Sequence, residues 1–457
     1  MCSSDLFTQK QKAQTITGNL ALADFSGHFG KNEVRGFGTA ADFDVAMTPQ
    51  QVQLRKAAGK LTQGAIVGGS FDLTATYDMT NKSATLTAKL VDLNQNGVGP
   101  FLEPMLGDKK LVSVAINANA SAQYDPQGAS ALKADLQVTN LVVKDPKNQF
   151  PATPLEAKMQ VDASLNKLVA DVRMFQITLT PTARASNQVQ LSGQVDMTQT
   201  NATQGNLKLV ADSLDVTSFY DLFMGGQKAS EQGAATTGSQ TGRGPATQAA
   251  PATASANANK EPDAIKLPLH NFTASATIGR LYLHEVEITN WQATVKIDGG
   301  HVILNPFKLA LNGAPVSTTL DLDMGVPGFK YDWSLSAQAI PLAPLVNSFQ
   351  PDRKGLLSGT LSAQMKLAGA GTTGASLQKN LTGQFDLTST NLNLSVDNIQ
   401  GNIFYTRLLK TLVSTIAVIP DLAKNPAGTA TSFLQGVTGL GGSSTNSSGG
   451  LTADLKK

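Results

Sequence analysis

Apolar and polar residues alternate one for one along most of this chain. In LSGTLSAQMKLAG, Leu357, Leu361, Ala363, Met365 and Leu367 fall on one side, and Ser358, Thr360, Ser362, Gln364 and Lys366 on the other. In VSVAINANASAQY, Val112, Val114, Ile116, Ala118, Ala120, Ala122 and Tyr124 oppose Ser113, Asn117, Asn119, Ser121 and Gln123. VSTTLDLDM repeats the pattern with Val316, Leu320, Leu322 and Met324. A period of two puts successive side chains on opposite faces of a strand, so these segments predict sheets with one apolar and one wetted face. Further strands are predicted at 15–25, 69–78, 84–92, 132–143, 157–164, 167–179, 188–197, 205–216, 272–288, 291–298 and 301–311. Turn residues such as DPQG, DPKN, IDGGH, LNPF and VPGF separate them.

A second unit recurs at long intervals: a strand, a short helical turn and another strand. It is visible in LVDLNQNGVGPFLEPMLGDKKLVSVAINA, in LVADSLDVTSFYDLFMGG and in LSAQAIPLAPLVNSFQPDRKGLLSGTLSA. GGSFDLTAT at 68–76 is echoed by TGQFDLTST at 382–390. Such repeats imply large β units added along one axis.

Two regions depart from alternation. Residues 225–264 are poor in large apolar side chains and read as a disordered linker. In GNIFYTRLLKTLVSTIAVIPDLAK the period changes to a helical one. Phe404, Leu408, Leu412 and Ile416 share a stripe with Ile403, Leu409 and Val413, and Pro420 ends it. The predicted organisation is a leader at 1–6, a β-repeat region at 7–224 and the linker at 225–264. A second β region at 265–400, an amphipathic helix at 401–424 and a flexible tail at 425–457 follow. The opening MCSSDL reads as a non-native leader of sequencing-adapter origin. A lipidated Cys2 would instead require an apolar signal segment before it. The final LTADLKK reads as the start of a cut strand.

Composition narrows the function. The net charge is +2, which gives no electrostatic case for a nucleic-acid partner. Only 15 % of residues are charged, and Cys2 is the single cysteine, so no disulfide framework or Cys-ligated metal site is expected. No apolar run reaches the roughly 18–20 residues of a membrane-spanning helix. This uncharged, Ser/Thr/Asn-rich composition suits a bacterial periplasm or cell exterior. Two such sheets can close face to face as a sandwich, the commoner outcome, or one long sheet can curl and keep its apolar face for a ligand. Composition does not choose between them.

Catalytic signatures are not found. GAGTTG at Gly369–Gly374 fits G-x-G-x-x-G, but the strand before it is half polar and an alternating strand follows, so a hairpin loop is expected. His28, His270, His284 and His301 form no metal-ligand pair at helical spacing and read as solvated or structural. The carboxylates are scattered singly, and there is no G-x-S-x-G. Catalytic, cofactor and metal residues are therefore all expected to be none.

Residues 265–425 resemble the C-terminal region of the bacterial AsmA-like family. The features that carry the resemblance are Pro341-Leu342-Ala343-Pro344-Leu345, the G-x-L-x-G-x-L start at Gly355–Leu361 and the Gly369-Ala370-Gly371 loop. Ser376-Leu377 and the L-x-G-x-F-x-L strand at Leu381–Leu387 follow. One departure is that Ser389-Thr390-Asn391 stands where the family has a glycine turn. The resemblance implies a mainly β fold: an elongated, repeated antiparallel or curled β-groove with a few short helices. It implies a periplasmic protein anchored to the inner membrane by an N-terminal helix, not an enzyme, with phospholipid acyl chains as partner and possible envelope protein partners. On that reading Val112, Val114, Ile116, Leu357, Leu361, Met365 and Leu367 line the groove, and the 402–419 helix caps it or docks at a membrane. A structural or regulatory envelope scaffold with the same fold is the alternative.

Overall fold

The structure is a computed structural model and describes residues 13–29, 32–106, 109–144, 154–224, 260–349 and 354–394. It contains one 18-stranded sheet. The first eleven strands are β1 (Gln14–Phe29), β2 (Asn32–Met47), β3 (Gln51–Gln63), β4 (Ile66–Asp78), β5 (Ser83–Asn94), β6 (Lys110–Tyr124), β7 (Ala129–Lys144), β8 (Leu155–Asn166), β9 (Val169–Leu179), β10 (Gln188–Asp196) and β11 (Thr203–Asp215). The next seven are β12 (Leu269–Leu283), β13 (Val286–Asp298), β14 (His301–Leu311), β15 (Ala314–Asp323), β16 (Lys330–Pro341), β17 (Leu357–Ala370) and β18 (Thr382–Leu394).

Each strand pairs with its neighbour in sequence, and every pair but one is antiparallel. The exception is β11 with β12, which run parallel. The sheet is open: among the described residues β1 pairs with β2 alone and β18 with β17 alone. Among the described residues no second sheet covers it, so the two-sheet sandwich is not the outcome there. The predicted strand 272–288 is two strands, because His284 takes φ 53° and turns the chain. Likewise Lys167 and Leu168 have φ 46° and 71° and form the turn before β9 rather than its start.

Strand direction fixes the two margins of the sheet. We call the margin where β1 ends the upper one. All three strand–turn–strand units form helices there: α1 (Gln95–Leu106) after β5, α2 (Thr217–Met224) after β11 and α3 (Leu342–Phe349) after β16. A fourth helix, α4 (Gly374–Asn380), lies on the lower margin between β17 and β18. The helix α1 contains two glycines and two prolines, so propensity does not hold it. Asn94 caps its start, accepting from the Asn96 amide at 3.0 Å. Its Val98, Leu102 and Leu106 pack on Leu111, Val114 and Ile116 of β6. α2 closes the same cluster through Phe219 and the fully buried Leu222. The buried Lys109 amine donates to the Asp221 carbonyl at 2.9 Å and the Leu222 carbonyl at 2.5 Å, satisfying the end of α2. α3 touches both β13 and β17, which are four strands apart, so the sheet curves around it.

The parallel seam is fastened at both margins. At the upper one Arg184, in the β9–β10 loop, makes a fork to Asp215 at 2.7 and 3.2 Å. It also donates to the His284 carbonyl at 3.0 Å and lies 4.6 Å from the centre of the Tyr282 ring. Burial pushes the Asp215 carboxyl up, but the hydrogen bonds from Arg184 and Thr217 outweigh it and hold the group below its ordinary range. The fully buried Asn187 ties the same loop to β11, accepting from the Asp215 amide at 2.5 Å. At the lower margin residues 260–268 run across the strand ends. Thr203 donates to the Pro268 carbonyl at 3.0 Å, Ile265 to that of Met324 at 2.8 Å, and Gly328 to that of Pro262 at 2.9 Å.

The docking of α1 depends on one close approach, in which Gly97 rests on Gly68 of β4. A Cβ on either glycine would overlap backbone atoms of the other. Gly97→Val is expected to lift α1 at a cost of about 1–3 kcal/mol. Urea unfolding and amide exchange over 95–106 would read this, and an unchanged midpoint would show that the contact does not position α1.

Candidate functional site

The pairings can be followed across the whole sheet one row at a time. One row is Ile16, Val45, Leu54, Ala75, Leu86, Ala122, Leu132, Ala163, Val172, Gly193, Leu207, Ala274, Val295, Leu304, Leu320, Trp333, Leu367 and Gly383. Every member is apolar or glycine. Two residues away along most strands, and three across the bulges of β3, β9 and β14, lies a second row: Gly18, Phe43, Ala57, Leu73, Ala88, Ala120, Ala134, Val161, Phe175, Leu191, Leu209, Ala276, Ala293, Phe307, Thr318, Leu335, Met365 and Phe385. Its one polar member, Thr318, turns its hydroxyl to the sheet itself. That hydroxyl accepts from Trp333 Nε1 at 2.8 Å and donates to the Ser334 carbonyl at 2.6 Å.

The opposite face is polar at the same depth except at Ala58 and Val210. Its row begins Asn19, Asp42, Ala58, Asp72, Lys89, Asn119, Asp135, Gln160, Gln176 and Gln190 and ends Ser317, Ser336, Gln364 and Asp386. Cross-strand bonds lace it, such as Gln160 to Asp135 at 2.8 Å and Lys56 to Asp42 at 3.0 Å. Arg173 and Lys133 both pair with Asp162 on this face.

Of the two apolar rows, Met365 alone is buried. The others are half-buried or exposed, with Leu86 at 44 % and Leu132 at 43 %. A sheet whose apolar face served only as core would be covered there. With strands about 4.8 Å apart, the eighteen make this face about 80 Å long.

The sequence-predicted lining residues divide on this frame. Leu361, Met365 and Leu367 lie on the apolar face of β17, with Gln364 on the other. Leu357 is buried at the upper end of that strand. Val114 and Ile116 share the apolar face of β6 but sit under α1 and α2. Val112 is 49 % exposed and occupies a β-bulge, so Leu111, not Val112, shares the buried cluster with Val114. The two groups lie eleven strands apart and form no common pocket. Alternation alone did not single out Phe43, Leu54, Phe175, Leu209 or Leu335, because membership of a row depends on pairing. Phe404, Leu408, Leu412 and Ile416 lie outside the described residues.

The G-x-G-x-x-G loop is filled from within the chain. The Glu261 carboxylate accepts from the Thr372 amide at 2.7 Å and from the Thr373 amide and hydroxyl at 3.2 and 2.6 Å. Burial pushes this carboxyl up, yet these bonds and Ser376 outweigh it and bring it down to about 2. The loop therefore holds down the strap at 260–268. Three histidines pair with carboxylates: His270 with Asp298 and His301 with Asp321, both at 2.6 Å, and His284 with Asp221 at 3.0 Å. Among the described residues no group of three or more His, Cys, Asp or Glu could hold a metal ion. Among them, too, no helix is long and apolar enough to cross a membrane.

A family model matches much of this sequence. The AsmA family model covers residues 155–433, more than half of the chain, from β8 across the parallel seam to beyond β18. The chain belongs to the AsmA family. Its members are envelope-associated and are not known as enzymes, so membership supports an envelope-related function. No curated protein and no solved structure matches the chain. The departure at Ser389-Thr390-Asn391 has a backbone explanation. Asn391 takes φ 52°, the left-handed conformation that a glycine supplies and that Asn tolerates.

The Glu261 clasp should titrate. Its carboxyl lies near 2 in the folded chain, below its ordinary value of 4.5. The stabilisation is complete above about 4.5 and is lost as pH falls towards 2. Amide protection at Thr372 and Thr373 is expected to fall over that window, and Glu261→Gln to remove the fall. Protection unchanged by pH in the wild-type chain would show that the clasp holds nothing.

Proposed function

We propose that the apolar face shields the acyl chains of phospholipids as they cross the envelope, and that the polar face meets the periplasm. The observation that carries this reading is the pair of apolar rows that cross all eighteen strands while every member but Met365 stays half-buried or exposed. Two acyl chains of about 15 carbons each cost on the order of 20 kcal/mol when exposed to water. A continuous apolar face removes most of that cost without any catalytic group. The headgroup stays in water, so the face needs no bound cofactor. The protein acts in the periplasm, tethered to the inner membrane, and it passes lipid towards the outer membrane. AsmA family membership supports this placement. Envelope proteins at the two ends of the sheet complete the path.

The test is site-specific photo-crosslinking in a diderm host, followed by lipid analysis. Crosslinkers at Leu86 and Leu132 are expected to capture phospholipid, while those at the neighbouring outer positions Thr87 and Lys133 do not. Ala122→Asp is expected to abolish capture without unfolding the chain, since the position is not buried. If neither face captured lipid, the scaffold reading would stand in its place.

A further inference from the structure

The two margins of the sheet are not finished alike. The upper margin carries α1 over β2 to β6, α2 beside it, and α3 over β13 and β17. Among the described residues the lower margin is covered only in the C-terminal half, where the strap at 260–268 and α4 press Ile265, Leu267 and Leu377 onto Leu322 and Tyr331. Leu322 and Tyr331 are 4 % and 8 % exposed. From β2 to β9 the lower margin has tight turns at 48–50, 79–82, 125–128 and 167–168, and no described residue lies over them.

At this bare margin the lowest row of the apolar face carries two tyrosines. Tyr77 pairs with Ala84, and Ala84 with Tyr124, so the rings stand at one level with an alanine between them. Two strand spacings put them about 10 Å apart. They are 44 % and 51 % exposed, and the exposed Leu86 and Leu132 lie one row above. Met79 and Leu168, on neighbouring turns, are exposed as well. Tyrosine with its ring against hydrocarbon and its hydroxyl in water belongs at a boundary between the two.

Resting on the acyl-groove reading, we infer that this stretch of the lower margin is where the ester and headgroup end of the carried phospholipid emerges. Tyr77 and Tyr124 flank the tops of the acyl chains there, and Ala84 leaves the gap between them. Lys82, exposed on the turn beside Tyr77, is placed to meet the phosphate. In the C-terminal half the chain's own strap takes the corresponding space, so the headgroup has no place on that stretch of the margin.

Two phosphatidylethanolamine probes test this on the full chain. One carries a diazirine on the headgroup amine, the other a diazirine near an acyl terminus. Labelled positions are read by peptide mass spectrometry after the protein is separated from vesicles. The headgroup probe is expected to mark 77–82 and 124–128 and to spare 260–268 and 324–329, while the acyl probe marks the rows above. Tyr77→Ser combined with Tyr124→Ser should lower headgroup labelling about fivefold, at roughly 0.5 kcal/mol per ring, with acyl labelling retained. Headgroup labels on the strap or on the upper margin would overturn the inference and leave the groove standing. Labels at the tyrosines that form only when photolysis is done with vesicles present, and not after their removal, would make this a bilayer-docking lip and also overturn it. Absence of acyl labels everywhere would instead defeat the groove reading itself.

Discussion

Side chains on a strand alternate between faces, so a slip of one residue at any interface would turn the apolar set of every later strand outward. This sheet keeps that parity through all its strands, across a dozen or more bulges. The bulges absorb extra residues without breaking the rows. Around Val112, Leu111 and Val114 stay on the same side although three positions separate them. Left-handed residues mark many of these places: Asp24, Asp92, Asn140, Asn290 and Asn391 all have φ between 50° and 54°. Such kinks bend the strands and raise the local twist, which lets one sheet curl.

A meander of antiparallel strands can extend indefinitely by hairpins, but the parallel pair β11–β12 cannot be made that way. After β11 the chain is at the upper margin, and it must return to the lower one before β12. The polar network around Arg184 and Asp215 and the strap held by Glu261 therefore sit where chain connectivity supplies no tight turn. Both draw partners from distant sequence: Arg184 reaches His284 a hundred residues on, and Glu261 reaches Thr372 across 111.

Alternation made the strands legible, and local composition made the three upper-margin helices legible, since each is a short apolar run ended by Gly or Pro. What could not be read was everything set by a partner strand. β2 and β3 carry Gly, Lys and Asp on a weaker alternation and do not stand out, and of β16 only the LSAQAIP end does. The hairpin within 272–288 turns on His284, a residue with no turn signature of its own. The G-x-G-x-x-G loop looked like a free loop because the carboxylate that fills it is remote in sequence. The candidate face is half visible: alternation puts Leu361, Met365 and Leu367 on one face of β17, but neither the rows nor the covering of Val114 and Ile116 follows from one strand.

The position of the packed clusters gives the fold its functional character. Leu106, Leu111, Val114, Val143, Leu155 and Leu222 gather at the upper margin of β6 to β8, and Ala211, Leu214 and Ile278 near the seam. Leu322, Met324, Phe329 and Tyr331 gather at the lower margin. A sandwich would place its core along the middle of the sheet and use up the same apolar rows that a ligand needs. Here short helices and a strap pack the strand ends, so stability comes largely from the margins and from the hydrogen-bonded ladder between strands. Most side chains of the middle rows stay half-buried or exposed, although Leu209 and Leu320 lean on these clusters and Met365 is buried. Many of those side chains are alanine, which limits the apolar area left in water while the face is empty. The arrangement keeps rigidity and ligand surface on different parts of the same strands, and so the long face can stay open without loosening the fold that presents it.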